Sequence, residues 1–165
     1  MTEGRATLLP WLALSALIVI ADQLTKWLVV QNLQLGERLQ ILPIFSWVRW
    51  HNDGAAFSFF SGGGGRWFFV ALAVVFSVFI VYELRRLPVP NRLMRYAYAL
   101  ILGGALGNGL DRLTVGYVVD FTLLHYGEWY FPAFNVADAA LTVGAGCWIW
   151  TLLLEYLHER RLRHG

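Results

Sequence analysis

Long apolar runs separated by shorter polar stretches organise this chain: residues 11–30, 67–84, 96–113 and 135–154 each hold close to twenty positions with few charges. At about 1.5 Å of rise per residue such a run matches the thickness of bilayer hydrocarbon, so the pattern predicts four membrane-spanning helices. Helices are expected rather than barrel strands, because backbone groups in hydrocarbon must be satisfied within the segment and the runs are too long and unbroken for ten-residue strands. The first run is read as a retained span. Its apolar stretch exceeds a signal-peptide core, and Asp22 and Lys26 fall where a cleavage site would lie.

Between the spans, residues 31–66 and 114–134 form the longer loops. Residues 39–50 are rich in aromatic and β-branched side chains with partial alternation, which predicts one or two short strands, with Pro43 making any strand there an edge or a broken one. Ser61-Gly-Gly-Gly-Gly-Arg66 reads as a flexible tip, either a plain linker or a segment that admits substrate.

Composition strengthens the membrane reading. Of 165 residues 58% are hydrophobic, about 96 side chains, and only 15% are charged, against about a quarter in a soluble domain. Mean hydropathy is +0.52, which excludes both a soluble globule and a disordered chain. The spans leave room for loops and no second domain, so residues 1–165 are expected to form one integral membrane domain. The single Cys147 lies in an apolar run and is expected to be a small buried hydrophobe.

The net charge of +2 matters less than where the basic residues stand. Eight of the thirteen (Arg5, Arg85, Arg86, Arg92, Arg95, Arg160, Arg161, Arg163) flank the spans on one side, whereas Arg38, Arg49 and Arg66 lie on the other. The positive-inside rule then puts both termini in the cytoplasm and the loops 31–66 and 114–134 outside.

Ionisable residues within spans are costly and so invite a functional reading. Asp22 and Lys26 stand at i, i+4 with the acid first, which suits an intrahelical ion pair bracing span one. In Gly103-Gly-Ala-Leu-Gly-Asn-Gly-Leu-Asp-Arg112, Gly103 and Gly107 allow close approach of another helix, Asn108 points into the bundle, and Asp111 beside Arg112 reads as a charge pair. Asp120 follows span three, and Asp138 lies one turn into span four with Asn135 at the capping position. Topology therefore puts two carboxylates at one depth near the outer interface. Close together, they would share a proton, one taking a proton from water and the other giving one to a carbonyl oxygen or leaving amine. Spacing alone fits equally a solvated loop acid and a helix N-terminal acid favoured by the macrodipole.

Other templates fit poorly. Nucleophile-elbow, zinc-protease and phosphate-loop motifs are absent, His51 and His125 lack ligand spacing, and no basic face is interleaved with aromatics, so no metal, no cofactor and no nucleic-acid partner are expected.

Five ordered blocks carry a resemblance: Asp22-Gln-Leu-Thr-Lys26, Asn52-Asp-Gly-Ala-Ala-Phe-Ser58, Gly103 to Arg112 as above, Val118-Val-Asp-Phe121 and Phe134-Asn-Val-Ala-Asp138. Together they make the chain resemble the bacterial lipoprotein signal peptidases, signal peptidase II, over about residues 20–145. The resemblance implies four spans with a small extracytoplasmic β-sheet and a lid-like element in the loop 33–65. It implies that Asp120 and Asp138 are the catalytic pair of an inner-membrane aspartic endopeptidase, which cuts a diacylglyceryl-modified prolipoprotein just before the lipidated cysteine. It further implies that Asn52, Asn108, Arg112 and Asn135 bind substrate or orient the acids, that Asp22 and Asp111 are structural, and that globomycin-type cyclic peptides inhibit; Gly54 is expected to support the same site, Lys26 to be structural through its ion pair, membrane lipids to surround the chain, and the chain to act as a monomer. The rival expectation is a small four-helix transporter or proton relay using Asp22, Asp111 and Asp138, which would string ionisable groups across the bilayer.

Overall fold

The computed structural model describes residues 7–54, 64–88 and 91–164. Among the described residues four helices, α1 (Leu9–Asn32), α2 (Gly64–Arg86), α3 (Arg92–Thr114) and α4 (Val136–His164), match the four expected spans, the fourth beginning one residue later than expected. Each extends beyond its apolar run, α4 by ten residues into the basic tail, because polar residues at a helix end can leave the hydrocarbon without ending the helix. The Gly62–Gly65 run is divided: Gly64 and Gly65 open α2, correcting the expectation of a flexible tip there, while Ser61, Gly62, Gly63 and the expected lid lie outside the described residues.

Three of the helices, α1, α2 and α4, are long and apolar enough to cross a membrane. The other, α3, is the most enclosed, packing against all three. Eleven of its residues are buried against four in α1. Lipid therefore meets mostly α1, α2 and α4, whose Leu17, Ile20, Val75, Val78 and Ile149 are all well exposed, while α3 can carry glycines, an amide and charges because protein surrounds it. Small residues make that enclosure possible. A Cβ on Gly103 would stand 2.8 Å from Ile18 of α1, and one on Gly104 would stand 2.5 Å from the Ala137 carbonyl oxygen of α4. Ser15 adds a hydrogen bond from its hydroxyl to the Ala99 carbonyl at 2.8 Å.

At one end of the bundle the chain forms a four-stranded antiparallel sheet in sequential order: β1 (Arg38–Leu42), β2 (Phe45–Asn52), β3 (Val118–Tyr126) and β4 (Trp129–Tyr130). The turn between β1 and β2 falls at Pro43, so the apolar stretch 39–50 is broken there into two strands. Residues 114–134 are expected as loop from the sequence, and the structure forms β3 and β4 there. Residues Val118 to Phe121 are all buried, which removes the alternation that would have signalled a strand. Gly127, at φ 56°, turns β3 into β4. Phe121 packs with Val29 of α1, with Leu33 just past its end and with Val136, pinning β3 to the helix ends. Arg49 on β2 donates to the Val30 and Leu33 carbonyls at 3.2 and 2.9 Å, satisfying C-terminal carbonyls of α1.

At the opposite end, the basic residues between spans two and three lie on the ends of helices. Arg85 and Arg86 close α2, and Arg92 and Arg95 open α3. Arg95 is buried and donates to the Leu87 carbonyl. Cys147 is partly rather than fully buried.

Candidate active site

Where the sheet meets the helix ends, Asp120 of β3 and Asp138 of α4 come to one polar cluster. β3 brings Asp120 there by pairing with β2, in the register Trp50 with Asp120 and Asn52 with Val118. Asp138 arrives through the start of α4, where Asn135 is the N-cap: its Oδ1 accepts the Asp138 N–H at 2.9 Å, as the sequence suggested. Reciprocally, the Asn135 N–H donates to Asp138 Oδ2 at 3.2 Å.

Both carboxylates accept two N–H groups. Asp120 takes the Asn135 amide on Oδ1 at 2.8 Å and the Asn52 amide on Oδ2 at 3.0 Å. Asp138 takes the Asn108 amide on Oδ1 at 2.7 Å besides the Asn135 backbone. Each of the three asparagines is held at its oxygen by a group that only donates. Asn52 accepts the Gly54 N–H at 3.0 Å, Asn135 the Asp138 N–H, and Asn108 the Lys26 ammonium at 3.1 Å. The amide nitrogens are thereby left facing the carboxylates. Gly54 adopts φ 84°, and a Cβ there would lie 2.6 Å from the Phe69 ring, so only glycine makes this turn against Phe69.

Asp120 is 4% exposed. Burial first, and then the charge of Asp138, push its carboxyl up to about 6, while the Asn52 and Asn135 hydrogen bonds and the Lys26 charge pull the other way. That influence of Asp138 is the electrostatic mark of two carboxyl groups sharing one site.

Behind the pair lies a buried ionic layer. Lys26 bridges Asp22 Oδ2 at 2.7 Å and Asp111 Oδ2 at 2.9 Å, so the expected i, i+4 pair is present and widened across helices. The expected charge pair between Asp111 and Arg112 is not formed. Consecutive helical positions diverge by about 100°, so Asp111 faces Lys26 and Gln23 of α1 while Arg112 turns towards α2, its guanidinium over the Phe69 ring at 4.6 Å. Asp22 also accepts the Ala137 N–H at 2.9 Å, tying α1 to the first turn of α4. The sequence reading missed Gln23, which donates to Asp111 at 2.7 Å, and Phe69, which touches both Gly54 and Arg112. Only the position of Gln23 inside the first block hinted at its part.

Asp138 lines two grooves. One, of about 380 Å³, runs between α2, α3 and α4 with apolar walls from Phe69, Leu72, Phe76, Ile101 and Leu141 and a polar end of Asn108, Arg112 and Asp138. The other, of about 280 Å³, is bounded by Phe131, Phe134, Thr142 and Val143. Such a site can hold an apolar chain beside a carboxylate. The histidines stand apart from the carboxylates' hydrogen bonds: His125 bonds to Ser46 at 2.9 Å, and His51 stacks on Tyr117 with ring centroids 3.7 Å apart. Among the described residues no group of three or more His, Cys, Asp and Glu is placed to hold a metal ion.

Comparison with known proteins gives concordant results. A family model described as signal peptidase (SPase) II matches residues 14–154. A lipoprotein signal peptidase of Polynucleobacter necessarius subsp. necessarius (strain STIR1) is 46% identical over 146 residues, covering 87% of this chain and 89% of that protein. A lipoprotein signal peptidase of Pseudomonas syringae pv. tomato (strain ATCC BAA-871 / DC3000) is 49% identical over 141 residues, covering 83% of this chain and 82% of that one. A solved structure described as a bacterial membrane enzyme superposes with a TM-score of 0.83 at 30% identity, over 93% of this chain and 98% of its own.

Proposed function

Because this chain belongs to the signal peptidase II family, and is therefore a membrane aspartic peptidase that removes signal peptides from prolipoproteins, we propose that Asp120 and Asp138 are its catalytic pair. The observation that carries this reading is the meeting of Asp120 and Asp138 in one polar cluster, each fastened by asparagine amides, with burial and the charge of Asp138 pushing the Asp120 carboxyl up to about 6. Asp138 takes a proton from a water molecule. The resulting hydroxide attacks the carbonyl carbon preceding the lipidated cysteine, and Asp120, which carries the proton of the pair, gives it to the carbonyl oxygen. In the collapse of the diol, Asp138 returns its proton to the leaving nitrogen and Asp120 recovers one from a diol hydroxyl. Both acids then stand as they began, and no covalent intermediate forms.

The substrate is a prolipoprotein whose cysteine carries a diacylglyceryl group, and the groove ending at Asn108, Arg112 and Asp138 is its seat. A substrate anchored by two acyl chains holds its scissile bond at the membrane interface, so diffusion in the bilayer plane delivers it. Among the described residues, seven basic ones (Arg85, Arg86, Arg92, Arg95, Arg160, Arg161 and Arg163) stand at the bundle end away from the sheet, which supports cytoplasmic termini and an active site at the outer face of the inner membrane. The chain acts as one membrane domain and as a monomer, and globomycin-type cyclic peptides compete for the same groove.

Asp120→Asn and Asp138→Asn, purified in detergent with their thermal unfolding checked, are each expected to lower cleavage of a diacylglyceryl prolipoprotein by at least about 10³-fold. Near-normal cleavage by either folded variant overturns the assignment.

A further inference from the structure

Lys26 is 4% exposed, and its ammonium has three N–H donors and no acceptor. Three oxygens meet it: Asp22 Oδ2 at 2.7 Å, Asp111 Oδ2 at 2.9 Å and Asn108 Oδ1 at 3.1 Å. Two carboxylates would suffice to compensate its charge. The third contact reaches a neutral amide whose far end, Nδ2, donates to Asp138 Oδ1 at 2.7 Å.

We propose that Lys26 is a positioning residue for Asp138, acting through Asn108: by facing the amide with a group that can only donate, it forces the amide oxygen inward and the amide nitrogen onto the carboxylate. The inference rests on the reading of Asp138 as one of the catalytic pair. A reversed amide would set its N–H groups against the ammonium and its oxygen against the Asp138 carboxylate, repulsive at both ends. Asn135 also donates to Asn108 Oδ1, at 3.2 Å, but its Nδ2 has two hydrogens to divide among Asn108, Asp120 and the Val119 carbonyl. The charge-assisted contact from Lys26 is the stronger hold. With the amide set, one oxygen of Asp138 is fixed by Asn108 and the other by the Asn135 backbone, so the carboxylate meets a water in the groove in one orientation.

The test separates this role from charge compensation. Lys26→Met alone leaves Asp22 and Asp111 facing each other. The exchange Lys26→Met/Asp111→Asn removes one charge of each sign. In the full-length protein in detergent, the exchange is expected to recover most of the thermal unfolding temperature lost in Lys26→Met. It is expected to keep KM within about twofold and to leave kcat at least about tenfold low. In an Asn108→Ala background the same exchange is expected to change kcat by less than about twofold, since the route to Asp138 is already cut. If kcat recovers along with stability, or if the full loss persists without Asn108, Lys26 is a charge partner only and the proposal fails. Should that exchange not fold, Lys26→Gln/Asp111→Asn is read instead. A glutamine can present either oxygen or nitrogen and so does not set the amide, and kcat is expected at least about fivefold low; wild-type kcat there overturns the proposal. Asp138→Asn in the same assay isolates the premise, because cleavage surviving in it refutes the catalytic pair whatever Lys26 does.

Discussion

Asn135 and Asp138 hold each other through two hydrogen bonds, Asp138 N–H to Asn135 Oδ1 at 2.9 Å and Asn135 N–H to Asp138 Oδ2 at 3.2 Å. This is a capping box in which the acid at the third helical position is also one of the two carboxylates of the site. Starting α4 and aiming Asp138 are therefore one structural event. The Asn135 amide nitrogen, left over from the cap, reaches Asp120 at 2.8 Å and joins the acids of two elements.

The two duties of Asn135 can be separated. Serine caps a helix about as well as asparagine but has no amide to offer Asp120, whereas alanine does neither. Asn135→Ser is expected to be about 1 kcal/mol more stable than Asn135→Ala by thermal unfolding, with both at least about tenfold down in kcat. Full activity in Asn135→Ser would show that the Asp120 contact is dispensable.

The pH dependence follows from Asp120. Its carboxyl, raised to about 6 chiefly by burial and next by Asp138, stays protonated well above the ordinary aspartate range. The single-proton form of the pair is then lost as pH rises through about 6, so kcat/KM is expected to fall on the alkaline side with an apparent pKa near that value. The limb in kcat should lie higher, because bound substrate displaces water and disfavours the charged form further. Asn52→Ala removes a hydrogen bond to ionised Asp120 and should move the kcat/KM limb upward by about half a unit to one unit. A limb that stays put or moves down in the pH–rate profile contradicts this.

Gly54 tests the turn that holds Asn52. At φ 84° with Phe69 2.6 Å from an added Cβ, Gly54→Ala is expected to displace the amide from Asp120 and lower cleavage about tenfold, at a cost of about 1–3 kcal/mol in local strain. Kinetics and thermal unfolding of the same preparation check both numbers.

Helix glycines differ by environment. Gly104→Ala would push a methyl to within 2.5 Å of the Ala137 carbonyl oxygen and is expected to destabilise by about 1–3 kcal/mol. Gly146, with open space where its Cβ would go, should tolerate alanine or gain up to about 1 kcal/mol from helix propensity. Equal unfolding temperatures for the two variants would contradict the packing of α3 against α4.

Much of this is legible in the sequence. Apolar length found all four helices, because hydrocarbon thickness sets a minimum run that composition alone can meet. Pro43 marked the turn between β1 and β2. The strand carrying Asp120 was not visible, since Val118 to Phe121 are buried on both faces and the period of two disappears. The supposed Asp111–Arg112 pair failed because adjacency in sequence is divergence on a helix, whereas Lys26, far away along the chain, stands 2.9 Å from Asp111.

By itself the sequence determined the spans, the scarcity of charges inside them, and the short roster of acids and amides among which any chemistry had to be found. Those properties depend on transfer from water to hydrocarbon, which each residue pays or gains where it stands. Which end of each asparagine faces which carboxylate, that α3 rather than α2 is enclosed, and that Lys26 spans two acids and an amide were decided only by tertiary packing. Hydrogen bonds and ion pairs are directional and act over about 3 Å, so their partners are chosen by the close approach of helices at Gly103, Gly104 and Gly107 and not by order along the chain.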